Sequence, residues 1–183
     1  YIPIKFHLVA RNNGTGRIDF PQVLDALCKL NHDFEPMDVQ FYLHSEMNHI
    51  NLTEMYEQDF PGISSFVHAQ YQANKVYNAV NVFVGNDLSS GNSGYYTGFS
   101  DVIFMDQTYM TQILNILTHE LGHYFSLRHT FWGWENTEYD HDVPTPTIVY
   151  LGNTPHEVEY VDREVNCEDA GDRLCSTPAD YIT

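Results

Sequence analysis

Thr118-His119-Glu120-Leu121-Gly122-His123-Tyr124-Phe125-Ser126-Leu127-Arg128-His129-Thr130 is the stretch around which the rest of the chain has to be arranged. His119 and His123 are four residues apart, so on an α-helix they share one face, a turn from each other. Two imidazoles placed this way can reach one cation at the roughly 2.0–2.1 Å of a zinc–nitrogen bond. Glu120 follows the first of them and is placed to act as general base toward a water that the cation has acidified. His129 falls too far along to share that face, so the chain has to turn after Phe125 to bring it back. Three imidazoles and one open position form the donor set of a catalytic zinc, not of a structural one.

Working outward, residues Thr108 to Tyr124 are predicted as one helix. Ile113, Leu114, Leu117 and Leu121 form its apolar face, with Asn115, His119 and His123 to one side. Upstream, Ile2 to Val9 reads as a strand, 12–16 as a turn, and Phe20 to Leu30 as a helix ended by Asn31-His32-Asp33. Val39 to His44 reads as a second strand, and 44–59 as polar and irregular. His44 and His49 are five apart, the wrong spacing for a helical metal pair, and are expected on the surface. Phe66 to Ala79 follows as a helix, Ala79 to Gly85 as the central strand, and Tyr95–Gly98 and Val102–Met105 as two short ones. Beyond Thr130 the chain is rich in Asp, Glu, Pro and aromatics, with Val143–Leu151 its one strand-like piece. This mixture predicts an α/β or α+β layered domain with a largely irregular C-terminal part.

The 183 residues suffice for one domain with a real core, and 43% hydrophobic against 18% charged residues is a globular balance. A net charge of −17 repels nucleic acid and anionic membranes, and no apolar run approaches the ~20 residues of a membrane span. The chain opens at Tyr1 without a charged or apolar leader and reads as a mature or trimmed form. Of its three cysteines, Cys167 and Cys175 can pair with each other or with partners beyond the chain. Cys28, among Leu24, Leu27 and Leu30, is expected as a buried free thiol. The sequons at Asn13 and Asn51 permit glycosylation, and export is favoured. Asp162, Glu164, Glu168, Asp169 and Asp172 either wrap a hard cation such as calcium or form a solvated acidic loop. Trp132, Trp134 and Tyr139 either line a cleft or pack beneath the loop, with packing favoured.

At a zinc site of this kind Glu120 takes the proton of the water and passes it to the leaving amine. His119, His123 and His129 have to be neutral to bind, so activity should fall in acid. Two alternatives stay open. A downstream carboxylate, Glu135 or Glu138, can supply the third ligand and leave His129 structural. The chain can also be a binding module that keeps the zinc scaffold without turnover.

The motif, extended through Thr130-Phe131, resembles the zinc motif of the metzincins, and specifically of their pappalysin (cytophagalysin) branch. The opening strand, Val80–Gly85 with Gly94-Tyr95, and Gly171-Asp172-Arg173-Leu174-Cys175-Ser176-Thr177-Pro178 are also similar to that branch. The resemblance implies a zincin fold, a mixed twisted sheet with an active-site helix. The upper lobe would span about 1–126 and a partial lower lobe about 127–183. It implies a secreted zinc protease, a hydrolase binding protein or peptide substrate in extended form along Gly94, Tyr95, Tyr96 and Thr97. Three features depart from the family. Ser126 stands where metzincins usually have glycine, at a tight turn. Ser176 replaces the aspartate before Thr-Pro. No methionine follows Met110, so the Met-containing turn of the family is not in this chain, which stops at Thr183.

Overall fold

Strand β1 (Ile2–Ala10) is buried without interruption from Ile4 to Ala10, the pattern of a strand covered on both faces within a parallel sheet. In the computed structural model, which describes residues 1–58, 62–87, 93–112, 115–135, 138–140, 142–160 and 166–181, the chain divides into two compact units, Tyr1–Phe125 and Ser126–Thr183.

In the first unit β1 is flanked on one edge by β2 (Phe41–Leu43) and β3 (Asn48–Asn51), which pair with its successive halves, and on the other by β5 (Val80–Asp87). A two-residue strand, β4 (Glu57–Gln58), extends the pairing of β5. Beyond β5 comes β7 (Val102–Asp106), and then β6 (Gly94–Thr97) at the end of the order. All pairings are parallel except β6 with β7. The result is a unit of mixed α and β structure, as the periodicities predict, and its sheet is mixed parallel and antiparallel.

Successive strand residues point to opposite faces, and each face has its own core. Ile4, Phe6, Leu8, Val82, Val84, Ile103 and Met105 pack with the helices α1 (Phe20–Phe34), α4 (Gln107–Gln112) and α5 (Ile116–Tyr124). Phe83, Tyr95, Val102 and Phe104 pack on the other side with Met55 and Tyr56 of α2 (Thr53–Tyr56) and Val67 and Tyr71 of α3 (Ser65–Asn74).

Several boundaries differ from the sequence reading. α1 continues past Leu30 because Phe34 adds another buried turn to its apolar face. Asn31 does not break it. Its side chain instead bonds both backbone groups of Phe41, accepting from N–H at 2.6 Å and donating to C=O at 3.0 Å, and so ties the helix to β2. Cys28 is exposed, not buried: it lies about 100° around the helix from Leu27, off the stripe formed by Val23, Ala26, Leu27, Leu30 and Phe34. The segment 44–59, read as irregular, carries β3, α2 and β4 between Asn48 and Gln58, and Asp59 lies outside the described residues. Asn48–Asn51 carries a single aliphatic residue and becomes a strand through the backbone ladder that the edge of β1 offers. His44 and His49 are exposed, as expected. α3 stops at Asn74 because the buried Asn81 side chain holds Val76–Ala79 in a loop, accepting from Val76 N–H and donating to the carbonyls of Val76 and Ala79. The helix predicted over 108–124 is two helices. Asn115 stands at the N-cap position of α5, without a side-chain hydrogen bond to its first turn. Ile113 and Leu114 lie outside the described residues.

In the second unit β8 (Ile148–Leu151) and β9 (Thr154–Glu157) form an antiparallel hairpin. β8 starts later than predicted because Pro144 and Pro146 supply no backbone N–H. Trp134, Val149 and Val158 form a small core, and Tyr139 and Tyr181 stack on each other beside Trp134, so Trp134 and Tyr139 pack. Cys167 and Cys175 form a disulfide with each other, deciding between the two pairings left open by the sequence.

Candidate metal centre

The motif helix is anchored by its apolar residues. Leu117 and Leu121 are buried in the α1 side of the core, and Thr118 Oγ1 donates to Asp33 Oδ2 of α1 at 2.6 Å. Lys29 and Thr118 together hold the Asp33 carboxyl below its ordinary pKa. With that face fixed, His119 and His123 point the other way, His119 exposed and His123 half-buried. Their Nε2 atoms stand 3.1 Å apart with the rings nearly perpendicular. Two nitrogens on a tetrahedral zinc are roughly 3.3 Å apart, from bond lengths of about 2.05 Å, so this spacing suits one shared cation.

The chain leaves α5 through Phe125 and then Ser126, whose φ is +71°. The turn after Phe125 that the spacing requires thus passes through a serine in the left-handed region, where a Cβ costs about 1–2 kcal/mol. Ser126→Gly is expected to raise stability by up to about 1 kcal/mol, because the greater freedom of glycine in the unfolded chain offsets part of the relief. Calorimetry would show this as a higher Tm; an unchanged or lower Tm would mean that the turn is not strained.

Past this turn, His129 stacks on Phe131 with ring centroids 4.8 Å apart. One ligand atom from each of His119, His123 and His129 lies within 4.8 Å of the other two, the one such group of three or more His, Cys, Asp or Glu among the described residues. These three histidines could hold a metal ion. Neither Glu135 nor Glu138, the alternative third ligands, belongs to the group.

Glu120 is buried, only 6% exposed, on the same helix. Burial pushes its carboxyl above the ordinary value, against opposing pulls from His123 and from the Tyr96 backbone N–H that donates to it. β6 thus positions this carboxylate. Gly94 lies beside it: a Cβ there would touch Glu120 Cγ at an ordinary 3.4 Å but crowd Met105 Sδ and the Phe104 carbonyl, each at 3.0 Å. Sequence reasoning took Gly94, Tyr95, Tyr96 and Thr97 as one substrate-binding strip, but their side chains differ in role. Tyr95 is a core residue whose hydroxyl lies 3.0 Å from that of Tyr71 and donates to Gln58 at 2.6 Å. Tyr96 packs edge-on against Tyr124.

Of the acidic residues considered for calcium, the described ones, Glu168, Asp169 and Asp172, do not form a group that could hold a metal ion. Glu168 and Asp169 are exposed, and Asp162 and Glu164 lie outside the described residues. Asp172 is buried, and both of its oxygens accept hydrogen bonds within its own turn, from Leu174 N–H and Thr177 Oγ1. The helices are all short of what a membrane span requires: among the described residues none is long and apolar enough to cross a bilayer. No protein-family model matches this chain, and no curated protein sequence does.

Proposed function

We propose that this chain is a zinc-dependent endopeptidase of metzincin type, close to the pappalysin branch, acting outside the cell on extended peptide segments. The observation that carries the reading is the gathering of His119, His123 and His129 to within 4.8 Å beside a buried glutamate on the same helix. Zinc held there would supply Lewis acidity, polarising a carbonyl and acidifying water. Glu120 receives the proton and delivers it to the leaving amine. Its shielded, hydrogen-bonded seat against β6 keeps the carboxylate in one orientation. The edge position of β6 suits an extended peptide added as a further strand. The disulfide agrees with an oxidising compartment.

The test is cleavage-site mapping on a peptide library, with activity lost on chelation and restored by zinc. The rate should also fall in acid. A base works only when ionised and an imidazole binds a metal only when neutral, so acid removes both functions. Cleavage that survives chelation, or a rate unchanged well below pH 6, would defeat the reading.

A further inference from the structure

The next carboxylate along the chain has a place of its own beside the third histidine. Glu135 Oε2 accepts from Gly133 N–H at 2.8 Å, and Oε1 stands 3.9 Å from His129 Nδ1, a nitrogen shut off from solvent. The turn that makes this anchor depends on glycine. Gly133 has φ +98°, and a Cβ there would lie 2.9 Å from Val149 Cγ2 and 3.2 Å from His156 Cβ. Trp134 N–H closes the turn on the Phe131 carbonyl at 2.9 Å, and Phe131 is the residue stacked on the His129 ring. One short segment therefore fixes both the plane of that ring and the position of the carboxylate at its Nδ1 edge.

We propose that Glu135 is a positioning residue for the metal centre: it favours the His129 tautomer that carries its proton on Nδ1 and so presents Nε2 to the cation. This rests on the three-histidine reading above and goes beyond it, since the motif and the family resemblance leave Glu135 unassigned or make it a rival ligand. At 3.9 Å the carboxylate and the neutral ring are in contact, but farther apart than a hydrogen bond. An imidazole that donates its Nε2 lone pair to a cation becomes a stronger Nδ1–H donor, which draws the carboxylate in. Partners of this kind typically change metal affinity by about 10–100-fold.

The experiment measures zinc affinity by competition with a chromophoric chelator for the full chain and for Glu135→Ala, Glu135→Gln, His129→Ala and His119→Ala. Nitrogen-15 NMR of the zinc-loaded chain assigns the His129 tautomer. Glu135→Ala should bind zinc about 10–100-fold more weakly. Glu135→Gln, isosteric and keeping one acceptor oxygen, should recover part of that loss. The wild-type His129 should carry its proton on Nδ1. Zinc affinity unchanged in both Glu135 variants would overturn the proposal, as would a His129 bound through Nδ1. If His119→Ala leaves zinc affinity intact, the metal centre itself is misplaced, and the role of Glu135 fails with it. Loss of affinity in His119→Ala and His129→Ala but in neither Glu135 variant removes this proposal alone.

Discussion

Glu120→Gln is expected to lower kcat/KM on a cleaved peptide by about 10²–10⁴-fold, the usual range for removing a positioned general base, while zinc content stays at that of the wild type. Glutamine keeps the shape that fits between the α5 backbone and β6, and its side-chain oxygen can still accept from Tyr96 N–H. What it cannot do is hold a proton at that position. Folding, zinc content and catalysis are therefore separable in this variant. Gly94→Ala would instead crowd Met105 Sδ and the Phe104 carbonyl next to this carboxylate, its Cβ standing 3.0 Å from each. Equal turnover by wild type and Glu120→Gln would mean that the cleavage is not done by this site. Full zinc with no cleavage in either chain would favour a binding module on a zinc scaffold.

The largest effect expected on stability lies away from the metal site. His7 is fully buried in β1, stacked on Phe83 at 4.1 Å, with Nε2 3.1 Å from Asn81 Oδ1 and Nδ1 3.2 Å from Asn48 Nδ2. An amide NH₂ can only donate, so Nδ1 accepts and the Nε2 proton goes to Asn81. That arrangement suits the neutral ring. Burial, with a smaller contribution from Lys5 and against the Asn81 bond, lowers the pKa from 6.5 to about 4. The unfolded chain therefore binds a proton that the folded chain refuses between those values. Stability is unaffected above pH 6.5, falls as pH drops below it, and has lost about 3 kcal/mol near pH 4. Denaturant titrations at pH 7.5, 5.5 and 4 should show this loss in the wild type and a shallower slope in His7→Gln. Identical slopes for the two chains would show that His7 is not the group responsible.

The sequence by itself determined the parts that rest on spacing. The i, i+4 histidines, the Leu117–Leu121 stripe behind them and the run from Val80 to Gly85 depend only on the periods of helix and strand, so their elements could be read directly. The need for a turn after Phe125 was also legible, because two helical histidines cannot meet a third ten positions after the first without one. Contacts between distant segments were not legible. Nothing in Asn48-His49-Ile50-Asn51 marks a strand; it is one because β1 leaves an edge that its backbone can pair with. Nothing local marks Asn31 or Asn81 as a clamp rather than a breaker, because their partners, Phe41 and the Val76–Ala79 loop, decide the role. His7 reads as an ordinary strand residue until β3 and β5 bury it between Asn48 and Phe83. Tyr95 and Tyr96 are adjacent in sequence, yet the pleat sends one side chain into the core and leaves the other beside Tyr124. Local periodicity thus set which chemistry the chain can offer. Tertiary structure decided which carboxylate is shielded, which histidine is neutral and which cysteines pair, because burial and hydrogen bonding belong to the packed neighbours and not to the residue alone.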